Sequence, residues 1–266
     1  MMNTLRSQTA QPNVGIVEIS IGPTIVIDPL MTHAQLRDKL NKVCVESHYF
    51  NGESFPISDH YRASGITDGI YDYNQFAKMF SESAGAIDIF GNLAHRTRLL
   101  REQTFQGPGF SDEVRARIPC VADKMVGIEA AAVVERVLCG VEAARRYFSL
   151  TGFVGIATLS LGFPNASGFP LTFNTGRWST ILGFCAPENE ISIQATFSTT
   201  DLIESFPAAL GDLVLRLLWS WGCMKSEMVA KVIDLAEQYH YGRNMCECRQ
   251  WHYPLNRSQC LSCHTR

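Results

Sequence analysis

The chain has 266 residues, 46% of them hydrophobic and 18% charged, a balance that supports a buried core and argues against a disordered chain. That length accommodates one large domain or two modest ones. A formal net charge of −3 excludes a basic footprint spread over the whole surface and leaves room only for a local one.

The opening MMNTLRSQTAQPN lacks the apolar stretch of a secretory signal. No run reaches the roughly 18 apolar residues of a membrane span. A cytoplasmic protein without membrane contact is therefore expected, and structural disulfides are uncommon in that compartment.

Residues 14–28, VGIVEISIGPTIVID, read as two short strands about a Gly22-Pro23 turn. Thr32 is placed to cap a helix over His33–Lys42, with Leu36 and Leu40 at helical spacing. Cys44–Phe50 reads as a strand ending in an Asn51-Gly52 turn, and His60–Arg62 as another. A helix is expected from about Asp72, burying Phe76, Met79 and Phe80. A second is expected over Ala86–Gln103, with His95, Arg96, Arg98 and Arg101 on its solvated side. Gln106–Gly109, with its Gly-Pro-Gly, then marks a loop, the best internal hinge.

Val126–Leu150 is the longest helical pattern. Beyond it the period changes, and FVGIATLSLGF, FPLTF, STILGFC and ISIQATF read as four strands. In the last, Ile191, Ile193, Ala195 and Phe197 share one face and Ser192, Gln194 and Thr196 the other. Helices over Pro207–Trp221 and Ser226–Tyr241 follow. The fold class expected is α+β, a mostly antiparallel sheet packed by helices, over residues 1–240. Residues 241–266 form a separate cysteine-rich tail.

That tail carries the sharpest chemistry. Cys246-x-Cys248 and Cys260-x-x-Cys263 are separated by eleven residues. Two close pairs about a short excursion suit a tetrahedral zinc ion, each pair supplying two thiolates from one turn. His252 or His264 could replace one cysteine. Cys260-Leu-Ser-Cys263-His264 also spells a c-type haem attachment site. Without an export signal, and with only Thr265 and Arg266 after it, zinc is the better reading. Four thiolates leave no open position, so the expected zinc is structural.

Between the pairs, Arg249, Trp251, Tyr253 and Arg257 interleave basic and aromatic groups, and residues 240–266 carry four arginines against one glutamate. Such a loop can contact nucleic acid through phosphates and base stacking. Alternatively, the aromatic rings simply cover the zinc core.

Five of the nine cysteines, Cys44, Cys120, Cys139, Cys185 and Cys223, sit among apolar neighbours. They read as small buried hydrophobes, with no histidine in a motif that would make one a nucleophile. Glu188 and Glu190 precede a strand that offers Gln194 and no lysine, so nuclease chemistry there lacks its charge-stabilising cation. No P-loop, G-x-S-x-G or H-E-x-x-H motif occurs.

The stretch HYRASGITDGIYDYNQFAKMF with the arginine-rich NLAHRTRLLRE, and further on AARRYFSLTGFVGIATLSLGF, resembles the Schlafen AlbA-type DNA-binding (divergent ATP-binding) family over about residues 45–165. The resemblance implies a strand, a turn and two helices here, and aligns Tyr61, Arg62, Ser64 and Gly65 with a nucleic-acid-associated region. The family's acidic-x-lysine strand and glycine turn have no counterpart, so no catalytic or nucleotide-binding residue carries over.

Three functions remain in view. The first is a non-enzymatic zinc protein associated with nucleic acid or acting as an assembly or regulatory factor. The second is a metal-dependent nuclease or other hydrolase built from dispersed residues such as Asp59, His60 and Glu190. The third is a protein–protein module docking through its tail.

Overall fold

The computed structural model describes residues 15–47, 54–56, 65–67, 70–77, 81–103, 116, 120–121, 124–166, 168–174, 179–184, 190–200 and 206–241. In chain order they form β1 (Ile16–Pro23), α1 (His33–Val43), β2 (Val45–Glu46), β3 (Ser54–Phe55), β4 (Gly65–Thr67), β5 (Ile70–Ala77), β6 (Ser81–Asp88), β7 (Leu93–Arg98), β8 (Leu100–Gln103), β9 (Cys120–Val121) and β10 (Lys124–Glu129). There follow α2 (Ala130–Thr151), β11 (Ile156–Pro164), β12 (Pro170–Asn174), β13 (Ser179–Phe184), β14 (Glu190–Ser198), α3 (Phe206–Ser220) and α4 (Glu227–Tyr241).

The fold is α+β. A seven-stranded antiparallel sheet runs β14-β11-β1-β7-β6-β5-β4. A second sheet runs β13-β12-β10-β8 with β9 beside β10, and β10–β12 is parallel. Strands β2 and β3 form a small third sheet. The four expected C-terminal strands are present, but divided: β11 and β14 join the large sheet, β12 and β13 the smaller.

α2 lies at the centre. Its residues from Ala130 to Ala144 are all buried, and it touches β1 and β7 of one sheet, β10 and β12 of the other, β2 and β3, and helices α1 and α4. A helix so rich in alanine and valine belongs inside a core, and its Glu135, Arg136 and Glu142 are buried with it. Its small residues let neighbours come close: a Cβ at Gly140 would sit 3.1 Å from the Phe55 ring. No described helix is long and apolar enough to cross a membrane.

Thr32 caps α1 as its sequence suggests. Its hydroxyl accepts from the Gln35 amide at 3.2 Å, and the Gln35 side chain accepts from the Thr32 amide at 2.8 Å, a complete capping box. Thr32→Ala is expected to cost about 1 kcal/mol, read from urea denaturation. A change below about 0.3 kcal/mol would mean that the cap contributes nothing to the folded state.

Several sequence expectations are corrected. Residues 14–28 hold one strand, not two. Gly22 continues β1 because the chain of Asn92 passes so close that a Cβ there would lie 2.4 Å from its side-chain oxygen. The helix expected from Asp72 is β5, whose run of Ile70, Tyr71, Tyr73 and Phe76 suits a strand paired to β4 and β6. Met79 and Phe80 fall outside the described residues.

The helix expected over 86–103 is the end of β6, a turn, β7 and β8. The Asp88 carboxylate makes that turn, accepting from the Phe90 amide at 2.9 Å and from the Asn92 amide at 3.0 Å. Gly91 within it has φ +86°. The helices implied by the Schlafen-type resemblance are thus strands. The helical pattern from Val126 begins only at Ala130, because Lys124–Glu129 pairs as β10.

Candidate metal centre

The buried centre of α2 holds a polar group. Glu135 and Cys139 are one helical turn apart and share a face. α4 packs on that face and brings His240, in its last turn, against them. Cys139 Sγ lies 3.2 Å from Glu135 Oε1 and 3.4 Å from His240 Nδ1, and Glu135 Oε1 and His240 Nδ1 are 3.7 Å apart. The Ser47 hydroxyl, just after β2, donates to Glu135 Oε1 at 2.7 Å. Glu135 and Cys139 are fully buried and Ser47 and His240 nearly so.

The electrostatics are those of a sealed site. Burial alone would raise the Glu135 pKa, but adjacent His240, the Arg136 guanidinium and the Ser47 hydrogen bond outweigh it and hold the pKa below its ordinary value. Burial and the Glu135 charge push the Cys139 thiol well above its ordinary pKa. That direction is opposite to what a nucleophilic thiolate needs. The raised pKa favours the neutral thiol at Cys139, 3.4 Å from His240. Glu135 Oε2 is buried without a hydrogen-bond partner.

A second polar group lies where α2 faces the large sheet. His95 on β7 is fully buried, its Nδ1 3.2 Å from the Pro56 carbonyl. A carbonyl only accepts, so Nδ1 carries the proton and Nε2, which has no partner, is left as an acceptor. Gly85 makes the approach possible: a Cβ there would fall 1.5 Å from the Pro56 oxygen. The neighbouring Arg136 is also fully buried.

The tail residues expected to bind zinc, Cys246, Cys248, Cys260 and Cys263, lie outside the described residues, as do His252 and His264. So do Arg249, Trp251, Tyr253 and Arg257, and likewise Asp59 and His60. Glu190 heads β14 in register with Pro164, exposed, and is not among the residues gathered at α2.

Arg96 belongs to a buried strand rather than a solvated helix face, paired with Glu18 at 3.3 Å. The buried cysteines Cys44, Cys139 and Cys223 fit the sequence reading. What that reading missed is the His240 partner of Cys139, which tertiary packing alone supplies from 101 residues away. The signal in the sequence was a glutamate and a cysteine four apart within a strongly apolar stretch of helix.

No protein-family model matches the chain, and no curated protein and no solved structure matches it.

Proposed function

We propose that the chain is a non-enzymatic, cytoplasmic zinc-binding protein that associates with nucleic acid through its C-terminal segment, as an assembly or regulatory factor. The observation that carries this reading is the pairing of Cys246/Cys248 with Cys260/Cys263 around a loop bearing Arg249, Trp251, Tyr253 and Arg257. In this reading zinc sets the loop's shape and the loop makes the contacts.

The geometry of α4 is consistent with such a role. Its last turn is tied to the core at two points, Tyr239 to Glu129 at 2.5 Å and His240 to Cys139 at 3.4 Å. The described end of α4 is therefore anchored to the core. The resemblance of residues 45–165 to a DNA-binding family points the same way, although its helical elements are strands in this chain.

The test is binding of labelled single- and double-stranded nucleic acid across a salt series. Arg249→Ala/Arg257→Ala is expected to weaken binding and to reduce the slope of log K against log salt by about 1.4–1.8, the loss of two phosphate contacts. Absence of binding at about 50 mM salt, where such contacts are strong, sinks the nucleic-acid reading and leaves a protein partner as the tail's occupant.

A further inference from the structure

We propose that Glu135, Cys139 and His240 hold a divalent metal ion of the zinc class inside the core, at a site separate from the C-terminal cysteines. The ligand atoms are Glu135 Oε1, Cys139 Sγ and His240 Nδ1.

The distances are close to those of one face of a coordination tetrahedron. Metal–ligand bonds of about 2.3 Å to sulfur and about 2.0–2.1 Å to nitrogen and oxygen put the ligand atoms about 3.3–3.6 Å from one another. The three separations here are 3.2, 3.4 and 3.7 Å. Small shifts of side chains suffice to admit an ion between them. Two ligands come from one turn of a helix held on every side, so their spacing is set before any metal arrives.

Two further observations point to a ligand. Glu135 Oε2 is buried with no hydrogen-bond partner and is available to enlarge the shell by bidentate coordination. Ser47 donates to the other oxygen at 2.7 Å, the kind of outer contact that orients a metal-bound carboxylate.

Charge supports the same assignment. On binding, Cys139 releases its thiol proton to solvent and ligates as thiolate, and Glu135 ligates as carboxylate. Together they neutralise a dication, and His240 adds a neutral donor. Charges balanced within the ligand set lower the cost of holding the ion away from water. One sulfur, one nitrogen and one oxygen suit a borderline ion such as Zn²⁺ and disfavour Ca²⁺ or Mg²⁺, which take oxygen alone. The metal would join α4 to α2, a structural rather than a catalytic duty.

The experiment counts metal in the full chain by elemental analysis after saturation with Zn²⁺ and removal of excess. It compares the wild type, Cys260→Ser/Cys263→Ser, Cys139→Ser and the triple variant. One zinc fewer in Cys139→Ser than in wild type, and none in the triple variant, is the expected result, whatever the tail itself binds. Should the tail bind no zinc, the wild type carries one ion rather than two and Cys139→Ser carries none, so failure of the tail site is told apart from failure of the core site.

Should the core substitutions not fold, Co²⁺ titration of a chain with Cys246, Cys248, Cys260 and Cys263 all changed to Ser decides the matter without them. A thiolate-to-cobalt charge-transfer band at one equivalent supports the site. Its absence, or a zinc count unchanged in both Cys139→Ser and His240→Gln, overturns it.

Discussion

Glu18→Ala is expected to destabilise the protein by about 3–5 kcal/mol, the usual cost of removing one partner from a buried ion pair. Glu18 on β1 and Arg96 on β7 stand directly opposite each other, with Oε1 and Nη1 3.3 Å apart and side chains 5% and 1% exposed. Removing the carboxylate takes the facing negative charge from a guanidinium that keeps its own charge and is shut off from water. If Arg96 instead faced water on a helix, the same change would stay within about 0.5 kcal/mol. Glu18→Leu/Arg96→Met should recover most of the loss, since an apolar pair of similar size is often as stable as a buried ion pair. Urea denaturation of the three proteins measures both effects, and a near-neutral Glu18→Ala would place Arg96 wrongly.

Arg96 also shows what the sequence could and could not reveal. Strong local signals were legible: Thr32 with Gln35 at the start of α1, the alternation of Ile191, Ile193, Ala195 and Phe197, and the alanine-rich run of α2. Leu93, Leu99 and Leu100 fit a helical stripe as readily as a strand, because short apolar runs satisfy both periods. What decides for strands is hydrogen bonding to β1 and β6 and the Asp88 turn, neither visible as a run of residues. The start of α2 was misplaced because Glu129 makes no side-chain cap that would announce it. The core cluster was half legible. Helix periodicity places Glu135 beside Cys139, whereas His240 reaches them only through the packing of α4. The tail's spacing is local and so could be read directly, but its ligands lie outside the described residues.

The second large effect is a pH dependence set by His95. Burial first, and the Arg136 charge second, lower its pKa from 6.5 to about 3. The unfolded chain therefore takes up a proton below about pH 6.5 that the folded protein refuses, and stability must fall with pH in that range, by about 1.4 kcal/mol per unit. Glu237 acts in the opposite sense. Burial, and then the nearby Asp234, raise its pKa from 4.5 to about 7, so it stabilises the fold when protonated and loses that contribution as pH rises from about 4.5 to 7. In the wild type the two nearly cancel between about pH 4.5 and 6.5, and the fall begins below that window. There the depressed Glu135 carboxyl adds to it, its contribution being lost as pH drops through its folded pKa. Glu237→Gln should uncover the histidine, with a loss of about 2 kcal/mol between pH 7 and pH 5 by urea denaturation. Adding His95→Gln keeps a donor for the Pro56 carbonyl but nothing to titrate, and the slope should disappear. A slope that survives His95→Gln would mean that another group refuses the proton. A flat profile in Glu237→Gln would mean that His95 accepts one in the folded state and would overturn the assignment.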